Sequence, residues 1–251
     1  MIDIHSHLLP GVDDGSPSIE VSVPVLERFA RHGVEMLVCT PHLDASRAPS
    51  APHEEYARIF ADLVAAAPAV PALRLGWEIM LDQPGADLRA SWLALGGSTA
   101  VLVEFPRTTL PPTAAQELFR LRMSGVVPVL AHPERYLGCT VDLVREWRRV
   151  GAVIQTDASM LLGSGPMGRM AKTLLEEGLI DCLASDNHGD SRSLGTARIW
   201  LDEIGASEHA TLLTRTNAER LLASQPPWPV PELRLERGMF GRLRTIVFGR
   251  R

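Results

Sequence analysis

Two imidazoles two residues apart, His5-Ser6-His7, stand at the end of the first apolar run of the chain. Alternate residues of a strand face one side, so both rings can reach one ion. Alone the pair is weak evidence for a metal site. Others join it: Asp14 in the Gly-rich loop Gly11-Val12-Asp13-Asp14-Gly15, His42 after Thr40-Pro41, Glu78 after Gly76-Trp77, Glu104, His132, Asp186 and His188. Each follows an apolar stretch, and so many accidents at strand ends are harder to accept than one purpose. Imidazole with carboxylate and no thiolate suits zinc, manganese or iron. Nine donors exceed the needs of one ion and point to two or three. Ions about 3.5–4 Å apart clamp both oxygens of an in-line phosphoryl displacement and lower a water pKa from about 15.7 toward about 7. Three divalent ions outweigh the four carboxylates, and Arg135 and Arg192 add further positive charge, so the pocket suits an anion such as a phosphate monoester.

Donors so far apart in sequence need a frame that gathers strand ends. One unit recurs: a helical stretch, a glycine, an apolar run, then a polar residue. Gly33 precedes the run 34–42, Gly125 the run 126–132, Gly151 the run 152–157 and Gly178 the run 179–186. Glycine after a helix is the usual left-handed cap, and continuous apolar runs suit strands buried on both faces. With further runs at 2–7, 73–78 and 100–105 there are seven candidate strands, alternating with helices. We therefore expect an α/β fold, a distorted seven-stranded TIM-like (β/α)7 barrel with its site at the C-terminal strand ends. Thr113 with Gln116 predicts a capping box, and Pro166 a helix start. Pro128 inside a buried run reads as a strand start or bulge.

The 251 residues, 45% hydrophobic and 22% charged, suit one soluble domain of this kind. A formal charge of −5 gives no overall attraction to nucleic acid. Cys39, Cys139 and Cys182 are scattered without a CxxC spacing, which fits a reducing compartment. With neither a signal-like N-terminus nor a long apolar span, the expected location is cytoplasmic. We divide the chain into a catalytic unit, 1–223, and a tail, 224–251, that opens with a linker, Gln225-Pro226-Pro227-Trp228-Pro229. Six arginines against two glutamates give residues 225–251 a net +4, leaving −9 on the remainder. Met239, Phe240, Leu243, Ile246 and Val247 recur at helical spacing, so the tail reads as a basic amphipathic helix packed on the barrel, with membrane-surface or partner contact as the alternative.

As a set, these motifs resemble the polymerase-and-histidinol-phosphatase superfamily and, within it, the bacterial capsular-polysaccharide tyrosine phosphatases. The resemblance is carried, in order, by Met1 through His7, Pro10 through Gly15, Thr40-Pro41-His42, Gly76-Trp77-Glu78-Ile79, Leu102 through Pro106, Ala131 through Tyr136, Ser159 through Gly163 and Ala184 through His188. It implies three metals, usually manganese, with iron or zinc possible. One would take His5, His7, Glu78 and Asp186; a second would share Glu78 and add Glu104 and His132; a third would take Asp14, His42 and His188. Arg135 and Arg192 match arginines that grip phosphate. The implied substrate is phosphotyrosine in the tail of a bacterial tyrosine kinase of polysaccharide export. Trp77, the short stretch after His188 and the arginine-rich tail depart from the family pattern.

Rival chemistries leave traces to weigh. Cys139 and Arg145 have the C-x5-R spacing of cysteine phosphatases, but the residues between, Thr140-Val141-Asp142-Leu143-Val144, are mostly apolar and open a predicted helix, so we read the match as chance. Many amidohydrolases use a bridging lysine, and the single lysine, Lys172, falls inside a helix. A TatD-like nuclease would lack the third site. A histidinol-phosphate or other small-molecule phosphatase is the nearest alternative, and a barrel that only binds would be expected to have lost ligands.

Overall fold

A computed structural model describes residues 1–235. The amphipathic part of the tail lies outside the described residues. The chain forms β1 (Ile2–Asp3), α1 (Ile19–Arg31), β2 (Met36–Cys39), β3 (His42–Asp44), α2 (His53–Ala66), β4 (Ala72–Leu75), β5 (Glu78–Met80) and β6 (Ala100–Glu104). There follow α3 (Ala114–Met123), β7 (Val127–Ala131), α4 (Val141–Arg149), β8 (Val153–Asp157), α5 (Ala158–Leu162), α6 (Pro166–Glu176) and β9 (Cys182–Ala184). The helices α7 (Leu194–Glu203), α8 (Ser207–Thr211) and α9 (Asn217–Leu222) complete it. Every strand pairing is parallel, as the alternation of strands and helices predicts.

The single closed barrel is not what the hydrogen bonds form. The strands fall into a three-stranded sheet, β1-β2-β4, and a six-stranded one, β3-β5-β6-β7-β8-β9. Two expected strands are each broken in the middle, at Thr40-Pro41 and at Gly76-Trp77, so seven runs become nine strands. Pro41 has no N–H to donate. Gly76 comes so near the chain at Leu95 that a Cβ would stand 3.0 Å from that side chain. The first run leaves the ladder after Asp3, yet Asp186 N donates to His5 O at 3.0 Å and His7 N to Asn187 O at 2.8 Å. Those bonds bring the HxH segment beside the end of β9.

Strand residues divide by parity into two cores. Ala100, Leu102, Val129, Ala131, Val153, Cys182 and Ala184 pack together in one cluster, while Val101, Val103, Leu130, Ile154 and Leu183 face the helices. This is why the runs are continuously apolar. The same alternation carries Glu104 onto the inner side two residues beyond Leu102.

Local signals fare unevenly. Gly151, with φ 100°, ends α4 as the left-handed cap requires, and Pro166 opens α6. Pro128 is the second residue of β7, ahead of the ladder to β8, which starts at Val129. Thr113 does precede α3, but its backbone is not extended and its side chain makes no capping bond, so the capping box is absent. The described start of the tail is tied down: Trp228 N donates to Asn217 Oδ1, Leu233 N to Glu176 O, and Val230 is buried.

Candidate metal centre

At the C-terminal ends of the strands the nine predicted donors come together. His5 Nε2 and His7 Nε2 lie 3.2 Å apart, and Asp186 Oδ1 is 3.3 Å from each. Glu78 Oε2 is 3.4 Å from His5 Nε2, 3.3 Å from His7 Nε2 and 3.0 Å from His42 Nδ1. Its other oxygen is 2.8 Å from His132 Nε2, and Glu104 Oε2 is 3.7 Å from that nitrogen. Farther out, Asp14 Oδ1 is 3.3 Å from His42 Nε2 and 3.4 Å from His188 Nε2. Glu78 is therefore the hub, flanked by buried donors on one side and by an exposed group on the other, where the Asp14 side chain is 72% exposed.

Hydrogen bonds behind the rings decide which nitrogens point inward. Gln155 Nε2 donates to Asp157 Oδ1, which turns the amide oxygen to His5 Nδ1 at 3.0 Å. His7 Nδ1 donates to Asp13 Oδ2 at 2.8 Å, and His188 Nδ1 to Asp186 O at 3.0 Å. With Nδ1 as donor in each, the neutral ring keeps a lone pair on Nε2, the arrangement that prepares imidazole for a metal.

The donor set fits cations. Glu78 Oε2 and Glu104 Oε2 are buried and accept no hydrogen bond, despite the nearby imidazoles. Among the described residues, four groups of at least three donors lie within ligating range: His7-Asp14-His42-His188, His5-Glu78-His132, His5-His7-Asp186 and His42-Glu78-Glu104. Buried carboxylates and lone pairs facing one another need positive charge between them. The electrostatics agree: burial opposes charge on His5, but Glu78 and Asp186 outweigh it and raise its pKa to about 9.

Backbone strain marks the same place. His132 (φ 36°) and Asp186 (φ 47°) are non-glycine residues in the left-handed region. Tyr136 braces the turn after His132, its O–H donating to Ala131 O at 2.7 Å and its oxygen accepting from Phe105 N. Asn187 holds the next loop through Arg192 O and Asp190 O. Gly15 is needed for close approach, since a Cβ there would stand 2.2 Å from His7 O.

Both predicted arginines reach the pocket, and both bind Asp186. Arg135 Nη2 donates to Asp186 Oδ2 at 2.6 Å and also pairs with Asp157. Arg192 Nη1 donates to the same oxygen at 3.0 Å and is the more exposed, 26% against 10%. Below them Glu134 takes Asp157 N on Oε1; burial, then the Asp157 charge, push its pKa up to about 8. Asp13, Gln155, Asp157 and Tyr136 were not singled out from sequence. Gln155 and Asp157 repeat the i, i+2 spacing of His5 and His7 at the end of β8, a usable signal. Arg107, 3.9 Å from Glu104, lines a cavity of about 430 Å³ beside His42.

The rival motifs lead elsewhere. Arg145 lies on α4, paired with Asp142 and Glu177, and burial pushes the Cys139 thiol up to about 12. Lys172 on α6 donates to Gly163 O. Trp77 is buried, stacked on Tyr56 with centroids 5.0 Å apart, and its Nε1 donates to Trp92 O. It packs the wall and leaves Glu78 facing inward.

Comparison with known proteins gives a consistent picture. The family described as capsular polysaccharide synthesis, CpsB/CapC, matches residues 1–223. The tyrosine-protein phosphatase YwqE of Bacillus subtilis is 32% identical, covering 94% of this chain and 98% of that protein. The tyrosine-protein phosphatase CpsB of Streptococcus pneumoniae is 32% identical over 76% of this chain and 85% of that protein. A solved structure from a study of YwqE and CpsB, there called unique metal-dependent tyrosine phosphatases, superposes with TM-score 0.79 at 28% identity. It covers 94% of this chain and all of that one.

Proposed function

Because the chain belongs to the CpsB/CapC family of capsular polysaccharide synthesis, we propose that it is a metal-dependent phosphatase acting on phosphotyrosine in a protein. The observation that carries this is Glu78, a buried carboxylate among four imidazoles with one oxygen unbonded. His5, His7, Glu78 and Asp186 would hold one ion, Glu78, Glu104 and His132 a second, and Asp14, His42 and His188 a third. Manganese is the first choice, with iron or zinc as alternatives. When bound, such ions neutralise phosphoryl oxygens and make water a nucleophile at neutral pH.

The protein's own groups do the rest. Gln155 and Asp13 keep the Nε2 atoms of His5 and His7 turned inward. Arg135 locks Asp186 in orientation, and Arg192 has spare donors to grip a phosphoryl oxygen. Tyrosine phenolate, with a pKa of about 10, leaves without a strong general acid, and no residue is assigned that role.

The partner we favour is a cytoplasmic tyrosine-rich segment of a kinase that controls polysaccharide export. In this reading residues 1–223 are the catalytic unit and the seven runs act as one distorted barrel. Hydrolysis of a phosphotyrosine peptide and of histidinol phosphate should be compared before chelation, after it, and after manganese is restored. We expect peptide hydrolysis that chelation abolishes and manganese recovers. Preference for histidinol phosphate would move the chain to a small-molecule phosphatase, and activity indifferent to chelation would sink the metal reading.

A further inference from the structure

At the opposite end of the strands, where β7 and β8 begin, lies a cavity of about 730 Å³. Four arginines line it: Arg122 from the end of α3, and Arg145, Arg148 and Arg149 from α4. Arg148 is engaged by Asp181, and Arg145 by Asp142 and Glu177. Arg122 and Arg149 pair with no carboxylate among the described residues. The Arg122 stem lies across Gly151, where a Cβ would stand 2.8 Å from its Cγ. Val127, Val153 and Leu179 contribute apolar surface. One wall is the segment with Pro226 and Pro227, fixed by Arg220 Nε donating to Pro226 O and by Asn217 binding Trp228 O.

Arginine near a helix C-terminus also complements the helix dipole, which accounts for one such residue per helix. It does not account for three guanidinium groups of α4 and one of α3 turned to one cavity. Asp181, Asp142 and Glu177 offset Arg148 and Arg145, which leaves Arg122 and Arg149 as like charges at one cavity with no carboxylate between them among the described residues. We propose that this cavity is a second anion site, on the face opposite the metal centre, that takes an organic phosphate of nucleotide size. Arg122 and Arg149 would bind the phosphate oxygens, bidentately where geometry allows. The apolar surface and the prolines would cover a ring, and the volume is that of small-molecule pockets, about 300–1,000 Å³. Nothing here depends on the phosphatase reading.

Calorimetry of ADP and of inorganic pyrophosphate on the full, metal-loaded chain tests it. We expect one ADP per chain, bound more tightly than pyrophosphate and weakened by salt. Arg122→Glu with Arg149→Glu should lower ADP affinity at least about tenfold, with p-nitrophenyl phosphate hydrolysis within about twofold of the parent. Arg192→Ala should leave ADP affinity unchanged. No ADP binding at millimolar concentration, full affinity in the double variant, or loss of affinity in Arg192→Ala overturns the proposal. If circular dichroism shows the double glutamate variant unfolded, Arg122→Gln with Arg149→Gln is read by the same criteria.

Discussion

Asp13 touches no other donor's metal-facing atom, yet its carboxylate takes His7 Nδ1–H at 2.8 Å and the backbone N–H of His42. Removing such an outer partner usually costs about 10–100-fold in metal affinity or activity. Asp13→Ala should therefore lower manganese affinity by that order, measured by titrating the chelated protein, with folding intact by circular dichroism. Cys139→Ser should leave kcat/KM unchanged, because a thiol held near 12 supplies almost no thiolate at neutral pH. Loss of activity in that variant would restore a cysteine mechanism. The donors were readable as residue types after apolar runs. Of their partners only Gln155, two residues before Asp157 on β8, left a spacing to read, while Asp13 acquires its role only from the ring it faces.

Among elements, the loop of residues 10–16 is irregular yet closely held. It is clipped to the HxH segment by Ser16 N donating to His7 O at 2.8 Å, and Gly15 presses on His7. Gly15→Ala must push the loop outward and carry Asp13 and Asp14 with it. We expect the variant to lose about 1–3 kcal/mol of stability, as overpacked sites do, and to retain fewer metal ions per chain by elemental analysis. Full metal content with parental stability would show that the loop does not position Asp14. The strands themselves were legible as continuous apolar runs because both faces are buried, Leu102 against one cluster and Val103 against the other. The interruption at Thr40-Pro41 has a local cause in Pro41, which lacks an N–H, but that at Gly76-Trp77 was not legible, because it answers to neighbours: Gly76 to Leu95, and Trp77 to Tyr56 and Trp92.

At the scale of the whole molecule, the donors come from segments scattered between His5 and His188, so a bound cation ties distant segments of the chain together. Anything that binds the folded chain and not the unfolded one stabilises it by mass action. Tm should rise with manganese concentration and fall on chelation, read by scanning calorimetry. A Tm indifferent to both would mean that the buried carboxylates need no cation. The inner groups around Glu78 are buried, whereas Asp14, His42 and His188 are more open. Partial chelation should therefore remove one ion first, leaving the others until stronger treatment.

What could be read from residues alone was chemical kind and local periodicity: nitrogen and oxygen donors without thiolate, parallel strands, glycine-capped helices and the place of most polar donors at a strand end. Side-chain parity and backbone capping are short-range properties, so they survive in the one-dimensional record. Whether the ladder closes, which nitrogen of His5 faces inward, and that Arg135 reaches Asp186 depend on segments distant in the chain, 150 residues apart for His5 and Gln155 and 51 for Arg135 and Asp186. Packing and hydrogen bonding across that distance belong to the folded chain, and so does the gathering of four arginines at the far end of the strands.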